Sequence, residues 1–313
     1  HLAHAIHLHR VHGPAIVQYR EKVCAICEKL AIVLEERNAV IVSKSHEWLR
    51  PILAKRHIAF MLEFNYVIGY ADHDLFCDLA FGLPMLGWAR HSPVLTQRIS
   101  PDPVPLDRHD DNLQQHNENI IHCLGPSKSP QQEAMAWDKC LIDFSNGGLV
   151  GPFYSFIAVC NLLGGFLPRL IRRFSILEQH GGAESASARV IDDCLMGGQN
   201  AFTATSACHR PCDLDMWCLL LRIAAEFFGD SLVGSTSDFK AAYRQITAAP
   251  EQARSFVVAM WDPVKGCIAY GIAVSQLYGS GSAPLTFSRF PAWCVYALGM
   301  AFGLLADHCV DDI

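Results

Sequence analysis

Two β-rich runs joined by a short turn constrain the fold of this chain more than any other feature. The runs are RSFVVAMW (254–261) and CIAYGIAV (267–274), and both contain the β-branched and aromatic residues that favour strands. The segment between them, DPVKG, has Pro in second place and Gly in last place, which is typical of a β-turn. We therefore predict an antiparallel hairpin, followed by a Gly/Ser/Pro loop and then a helix of about twenty residues.

The chain divides at a proline-rich segment. Residues 1–100 carry apolar residues at helical spacing, which predicts a mainly helical upstream region. Three prolines in SPDPVPLDRHDDN interrupt this pattern, and residues 101–132 are interpreted as a Pro/polar linker. A second unit with both strand and helix patterns occupies residues 133–313. We therefore expect an α/β (α+β) fold preceded by a helical N-terminal region.

Composition excludes several classes of protein. Hydrophobic residues make up 51% of the 313 residues and charged residues only 18%, which provides enough apolar surface for a packed core. The net charge of −6 argues against a protein that binds nucleic acid by bulk charge alone. The 13 cysteines, an odd number with no secretory leader before them, favour a reducing compartment. The sequence therefore predicts an intracellular protein, cytoplasmic or nuclear, and not a secreted one.

One apolar segment has to be considered as a membrane span. Residues 147–168, GGLVGPFYSFIAVCNLLGGFLP, carry no charge and are followed by three arginines, as in a spanning helix with basic flanks. Pro152, Asn161 and two Gly pairs argue against such a helix. We expect instead no membrane association, with the apolar residues from Phe153 to Leu163 mostly buried by protein. A helical membrane or scaffold protein without catalysis stays open as the alternative.

Paired aspartates near the end of the chain suggest a cation site. Asp311 and Asp312 follow an apolar helix in HCVDDI, where two adjacent carboxylates repel one another unless a cation neutralises them. Mg²⁺ fits this arrangement, because it is usually held by one or two carboxylates together with substrate phosphates. A further carboxylate has to come from a distant point in the chain. Asp238 in SDFKAAYRQI, at the end of its own strand-like segment, is the candidate.

These segments resemble the ordered motifs of reverse transcriptases. SDFKAAYRQI is similar to their first palm motif, QLYGSGSAPLTFSR to their glycine-loop motif, and CVDD to their paired-aspartate box. Upstream, ARVIDDCLMGGQN resembles the fingers motif. GGLVGPF and RRFSILEQ resemble the lead-in found in retrotransposon enzymes, particularly the tyrosine-recombinase (DIRS-like) branch and related elements of protists. The resemblance covers about residues 137–313.

The resemblance implies an RNA-directed DNA polymerase with a right-hand palm-and-fingers fold. Such an enzyme performs template-directed nucleotidyl transfer by two-metal catalysis. Its implied cofactor is a pair of Mg²⁺ ions, with Mn²⁺ as an alternative, and its implied partners are an RNA or DNA template with primer and deoxynucleoside triphosphates. An RNA-templated RNA polymerase palm is a second alternative, and Tyr243 argues against it.

The resemblance also implies a role for each matching position. The implied catalytic residues are Asp238, Asp311 and Asp312, and the implied metal ligands are these three and the backbone carbonyl of Phe239. Tyr243 falls at the position whose ring excludes a 2′-hydroxyl and so selects deoxynucleotides. The other implied nucleotide-binding residues are Arg189, Ala241 and Ala242 at the triphosphate, and Tyr278 and Gly279 under the base pair.

Three departures from the family pattern argue against activity of the fragment itself. Cys309 stands where the family has an aromatic residue before the paired aspartates. Ser185 and Ser187 stand where a lysine would help to bind phosphate. The sequence stops directly after the paired aspartates, so we expect an incomplete fingers and palm whose thumb and ribonuclease H regions lie downstream in the same polyprotein.

Overall fold

The computed structural model describes residues 2–126, 129–179, 186–208, 214–229 and 233–308. Within these ranges the regular elements are helical up to Phe81, and helices and strands are mixed from Gly87 onward. The helices are α1 (Leu2–His12), α2 (Ile16–Val33), α3 (Glu35–Lys44), α4 (Arg50–Leu53), α5 (Ile58–Ile68), α6 (Leu75–Phe81), α7 (Leu113–His122), α8 (Pro130–Ser145), α9 (Phe156–Leu162), α10 (Leu214–Phe228) and α11 (Ala283–Phe302). The strands are β1 (Gly87–Trp88), β2 (Thr96–Gln97), β3 (Leu149–Phe153), β4 (Leu170–Gln179), β5 (Ala186–Asp192), β6 (Thr203–Ala204), β7 (Ala207–Cys208), β8 (Val257–Asp262) and β9 (Cys267–Ala273).

A five-stranded sheet forms the centre of the fold, with the strand order β3-β9-β8-β4-β5. Neighbouring strands are antiparallel except β4 and β8, which run parallel. β4 pairs with β8 only from Leu170 to Arg172, and from Arg173 to Gln179 it pairs with β5. The sheet therefore splits beyond Arg172, with the β4–β5 hairpin on one side and the end of β8 on the other.

The predicted hairpin is confirmed as β8 and β9, which pair from Val257↔Ile272 to Asp262↔Cys267. Asp262 stabilises the turn, because its Oδ1 accepts hydrogen bonds from the N–H groups of Val264 at 2.8 Å and Lys265 at 3.1 Å. Gly266 closes the turn with a left-handed backbone, φ 64°. The expected long helix after the Gly/Ser/Pro loop is also present, as the 20-residue α11.

Helices bury both faces of the sheet. Alternate strand residues enter different core clusters: Ile171 and Val258 pack with Trp137 of α8, whereas Leu170 and Val257 pack with residues of α7 and α9. Successive side chains of a strand point to opposite faces, so α8 covers one face and α7 with α9 cover the other.

The helical upstream region shares a core with the rest of the chain. Phe287, Phe290 and Trp293 of α11 pack in one cluster with residues of α5 and α6. The last carbonyl groups of α11 lack donors within the helix. Side chains of α2 provide two donors: Tyr19 Oη donates to Ala301 O at 3.0 Å, and Arg20 Nε donates to Phe302 O at 2.8 Å.

The segment interpreted as a linker, residues 101–132, contains α7, which packs against the sheet. Asn117 of α7 is buried; its Nδ2 donates to Pro168 O at 2.7 Å and its Oδ1 accepts from Leu170 N at 3.0 Å. Ile120 enters the core. The Asn117 side chain provides hydrogen bonds for the backbone at the start of β4. A polar residue of this kind looks like a surface residue in the sequence, so the polar composition gave no sign of the packing.

Residues 147–168 form no long helix. They divide into the strand β3 and the seven-residue helix α9, and across the described ranges no helix combines the length and apolar character needed to cross a membrane. The expectation that the apolar residues from Phe153 to Leu163 would be mostly buried is wrong. Val159 is fully buried, but Ile157 is 70% exposed and Leu162 is 44% exposed, because a helix of two turns can turn only one face to the sheet.

Candidate functional site

Three segments that lie far apart in the sequence meet beside the sheet. They are the turn segment (238–245), the glycine loop (275–282) and the β5 segment (186–200), and each carries one of the motifs described above. The turn segment contains Ala241 in a left-handed conformation, φ 55°, followed by one turn of 3-10 helix, Ala242–Gln245. The turn is closed by Arg244 N, which donates to Ala241 O at 2.9 Å.

Asp238 lies exposed at the start of the turn segment, next to residues that anchor the segment in the core. The half-buried Phe239 ring lies 5.7 Å from the rings of Phe287 and Phe290 in edge-on contacts. Ala242 is buried in the same cluster. The backbone is therefore anchored in the core directly after Asp238.

Two tyrosines join the turn segment to the glycine loop. The ring centroids of Tyr243 and Tyr278 are 5.5 Å apart, and Tyr243 lies at the same distance from the ring of Phe287. The guanidinium carbon of Arg244 lies 5.3 Å from the centroid of the Tyr278 ring, within the range of a cation–π interaction. The Tyr243 ring is thus packed on two sides, while Tyr278 is 41% exposed.

The glycine loop contacts the β5 segment so closely that only glycine fits. A Cβ atom on Gly279 would lie 1.8 Å from the carbonyl oxygen of Asp192, well inside van der Waals contact. Asn200 holds the loop in this position: its Nδ2 donates to Gly279 O at 3.0 Å, and its Oδ1 accepts from Gly281 N at 2.8 Å.

Two arginines and two aspartates form a buried network under these segments. Arg173 Nε donates to Asp192 Oδ1 at 2.7 Å, and Arg173 Nη1 to Asp143 Oδ2 at 2.9 Å. Arg244 Nη2 lies 2.9 Å from both Asp192 Oδ2 and Asp143 Oδ2. We call these residues the four-residue network. It links β4, β5, α8 and the turn segment, and its formal charges cancel.

The network determines the ionisation of Asp192. Burial by itself raises the pKa of this carboxyl, but the guanidinium groups of Arg173 and Arg244 outweigh burial and hold the pKa below its usual range. Sequence reasoning singled out the segment ARVIDDCLMGGQN, which contains Asp192, but missed both arginine partners. The detectable signal was an arginine inside an apolar stretch at each position, 173 and 244.

The structure brings together only some of the residues implied by the resemblance. Asp238, Phe239, Ala241, Ala242, Tyr243, Tyr278 and Gly279 belong to the two joined segments described above. Arg189 is exposed on β5, opposite Ile176 of β4. Asp311 and Asp312, with Cys309 and Ser185, lie outside the described residues, so the predicted approach of Asp238 to Asp311 stays a prediction.

The oxygen donors described here fit part of a magnesium site. The Asp238 carboxylate and the Phe239 carbonyl are the hard oxygen donors that Mg²⁺ prefers. In the part of the chain that the structure describes, no three His, Cys, Asp or Glu side chains are grouped to hold a metal ion. A complete site would therefore need donors beyond these ranges.

No protein-family model matches the chain, and no curated protein matches it significantly.

Proposed function

We propose that the chain carries the fingers and palm of an RNA-directed DNA polymerase of a retrotransposon. The observation that supports this most is the meeting of the turn segment, the glycine loop and the β5 segment at one place, although they are separated in the sequence. Tyr243 packs on Tyr278, and Gly279 packs on the backbone of Asp192. A polymerase needs these motifs to act on one nucleotide.

In this proposal Asp238 and the Phe239 carbonyl hold Mg²⁺ together with Asp311 and Asp312. The bound ions would lower the pKa of the primer 3′-hydroxyl and stabilise charge on the transferring phosphoryl group. The protein positions its own donors beforehand, because Phe239 is fixed between two rings of α11 while the Asp238 carboxylate stays open to solvent.

Tyr243 would select the sugar. Its ring is packed by Tyr278 and Phe287, so it cannot swing aside to admit a 2′-hydroxyl without breaking both contacts. Tyr278 and Gly279 would lie under the base pair, and Arg189 with the amides of Ala241 and Ala242 would bind the triphosphate. This assignment favours a DNA polymerase over an RNA-templated RNA polymerase.

Primer extension tests the proposal, using the chain fused to the thumb-containing downstream sequence of a related retrotransposon polymerase and a primed RNA template. We expect Mg²⁺-dependent incorporation of deoxynucleotides. Asp238→Asn and Asp311→Asn should each remove nearly all extension, because the volume stays while the charge that holds the metal is lost. Asp102→Asn, at an exposed loop position, is the matched control and should extend primers normally.

Tyr243→Ala separates the sugar selector from the metal ligands. Chemistry should survive, and ribonucleotide incorporation should rise relative to deoxynucleotide incorporation. Normal primer extension by Asp238→Asn would show that this residue does not bind the metal. An unchanged preference for deoxynucleotides in Tyr243→Ala would show that Tyr243 does not select the sugar.

A further inference from the structure

A cavity of about 510 Å³ lies where the central sheet splits. Its walls come from α8, from β4 at Arg172–Ser175, from Val190 of β5, from Met260 and Trp261 at the end of β8, and from residues 122–126 at the end of α7. None of its lining residues belongs to the turn segment or to the glycine loop. The volume falls within the range of small-molecule sites, roughly 300 to 1,000 Å³.

Two arginines that line this cavity carry buried hydrogen-bond donors that no described residue uses. The Arg173 side chain is 2% exposed, and its Nε and Nη1 atoms bind Asp192 and Asp143. Its Nη2 is buried and has no hydrogen-bond partner among the described residues. The Nε atom of Arg172 is also buried and has no hydrogen-bond partner among the described residues. Arg172 forms no ion pair with any described residue. Buried donors of charged groups that lack acceptors are costly, so an acceptor is expected nearby.

Aromatic side chains form much of the remaining wall. Trp137 of α8 is 6% exposed, and Phe174 and Trp261 line the cavity from β4 and β8. The guanidinium carbon of Arg172 lies 5.3 Å from the centroid of the Phe174 ring. Glu133 of α8 also lines the cavity, and its carboxylate disfavours an anion on that side. The negative end of a ligand therefore belongs beside the arginines of β4.

We propose that this cavity binds a small ligand made of an oxyanion on a flat aromatic ring. Arg172 and Arg173 donate to the oxyanion, and Trp137 and Trp261 contact the ring. Guanidinium groups bind phosphate and carboxylate alike, so the ligand is either a nucleoside monophosphate or an aromatic carboxylate. The site is separate from the proposed polymerase site and does not rest on that function.

The cavity nevertheless adjoins the candidate site through the four-residue network. Arg173 faces the cavity and binds Asp192, and Asp192 binds Arg244 beside Tyr278. An oxyanion on Arg173 Nη2 would take the guanidinium nitrogen that Asp192 and Asp143 leave unused.

Isothermal titration calorimetry of the intact chain tests the site with three probes: adenosine 5′-monophosphate, benzoate and inorganic phosphate. We expect saturable one-to-one binding of at least one of the two aromatic probes and weaker binding of inorganic phosphate. Arg172→Gln should weaken binding of the aromatic probe about tenfold or more, since a hydrogen bond to a charged group is lost. Because Arg172 has no ion pair among the described residues, this variant should keep its fold.

Matched variants identify the place of binding. Arg222→Gln removes the same charge from an exposed pair on α10 and should leave binding unchanged. Trp261→Leu should weaken the aromatic probe but not inorganic phosphate. Asp238→Asn and Tyr243→Ala should not alter binding, which distinguishes this cavity from the proposed nucleotide site.

Three results would overturn the proposal. They are the absence of saturable binding of either aromatic probe up to about 10 mM, equal binding by wild type and Arg172→Gln, and loss of binding in Asp238→Asn or Tyr243→Ala. Inorganic phosphate that binds as tightly as both aromatic probes would overturn the role of the ring.

Discussion

Two buried clusters of arginine and aspartate stabilise this fold, and they differ in how fully their donors are used. In the Arg289 cluster one guanidinium group lies fully buried between Asp72 and Asp78. Its Nε and Nη2 donate to the two oxygens of Asp72, and its Nη1 donates to Asp78 Oδ2, all at 2.8 Å. Ser92 adds a further hydrogen bond to Asp72, at 2.6 Å.

The four-residue network has donors left over. Nη2 of Arg173 and both Nε and Nη1 of Arg244 are buried without partners among the described residues. The Arg289 cluster ties α11 to the chain around α6, and each nitrogen of its guanidinium group already has a carboxylate partner. The network lies between a cavity and the candidate site, where spare donors can meet a ligand. In the Arg289 cluster every guanidinium nitrogen therefore has a partner, whereas the network beside the candidate site keeps nitrogens without partners among the described residues.

The largest expected effect comes from the saturated cluster. Arg289→Met removes the cation shared by the buried carboxylates of Asp72 and Asp78 and leaves only Arg90 Nε, 3.3 Å from Asp78 Oδ1. It should lower the free energy of unfolding by about 3 to 5 kcal/mol. Urea unfolding followed by circular dichroism measures the loss. Arg222→Met, in an exposed i,i+4 pair, should cost under about 0.5 kcal/mol. A loss as small as the control would mean that the Arg289 cluster is not the stronger one.

Arg244→Met should cost less, about 1.5 to 3 kcal/mol, because Arg173 still binds both Asp143 and Asp192. The same urea experiment measures it. Under the proposed polymerase function, this variant should also lose primer extension, since Tyr278 loses its guanidinium neighbour. A destabilisation equal to that of Arg289→Met would show that Arg173 alone does not stabilise the carboxylates of Asp143 and Asp192. The two clusters would then not differ in their contribution to stability.

The Asn200→Ala variant tests the contact between the β5 segment and the glycine loop. Two hydrogen bonds to the loop are lost, so the expected cost is about 1 to 2 kcal/mol, with faster amide hydrogen exchange at Gly281. Gln114→Ala, at an exposed position whose side chain binds only Glu118 among the described residues, is the control and should change neither quantity. Unchanged exchange at Gly281 would mean that the loop is held by other contacts.

The smallest expected effect is a difference in pH dependence between two aspartates. The pKa of Asp192 is depressed by its two arginines, so its contribution to stability is lost as pH falls below the unfolded value of about 3.9. Burial raises the pKa of Asp78, and Arg289 opposes this only in part. Asp78 therefore takes up its proton above about pH 3.9 in the folded state, and stability rises as pH falls through that window.

Urea midpoints measured from about pH 3 to about pH 6 check these signs. Asp192→Asn should make the acid loss of stability shallower below about pH 4, whereas Asp78→Asn should make it steeper above that value. Equal slopes in the two variants would contradict the opposite pKa shifts.

Local signals explain which parts of the fold could be predicted from the sequence. The β8–β9 hairpin and α11 follow from a turn sequence and from apolar spacing within a single stretch of chain. Helix α7 was missed because its buried Asn117 looks like a surface residue until its partners on β4 are known. The exposure of Ile157 was missed because a short apolar helix gives no sign of which face is covered.

The candidate site divides in the same way. Tyr243, Tyr278 and Gly279 could be chosen from their motifs, and the structure brings their segments into contact. The ion pairs of Arg173 and Arg244 could not be predicted, because each joins residues at least nineteen positions apart and no local pattern encodes such a pair. A count of charged residues within apolar stretches would have identified the positions but not the partners.

The split in the central sheet also has a mechanical consequence. Beyond Arg172, strand β4 pairs on one side only among the described residues, so the β4–β5 hairpin extends from a support that is three residue pairs long. Helix α8 supports the hairpin through two hydrogen bonds. Gln132 Nε2 donates to Ser175 O at 2.9 Å, and Asp143 Oδ2 accepts from Arg173 Nη1 at the point where the hairpin leaves the sheet. Load applied to the hairpin is therefore transmitted to α8 and to Arg173 before it reaches the rest of the sheet.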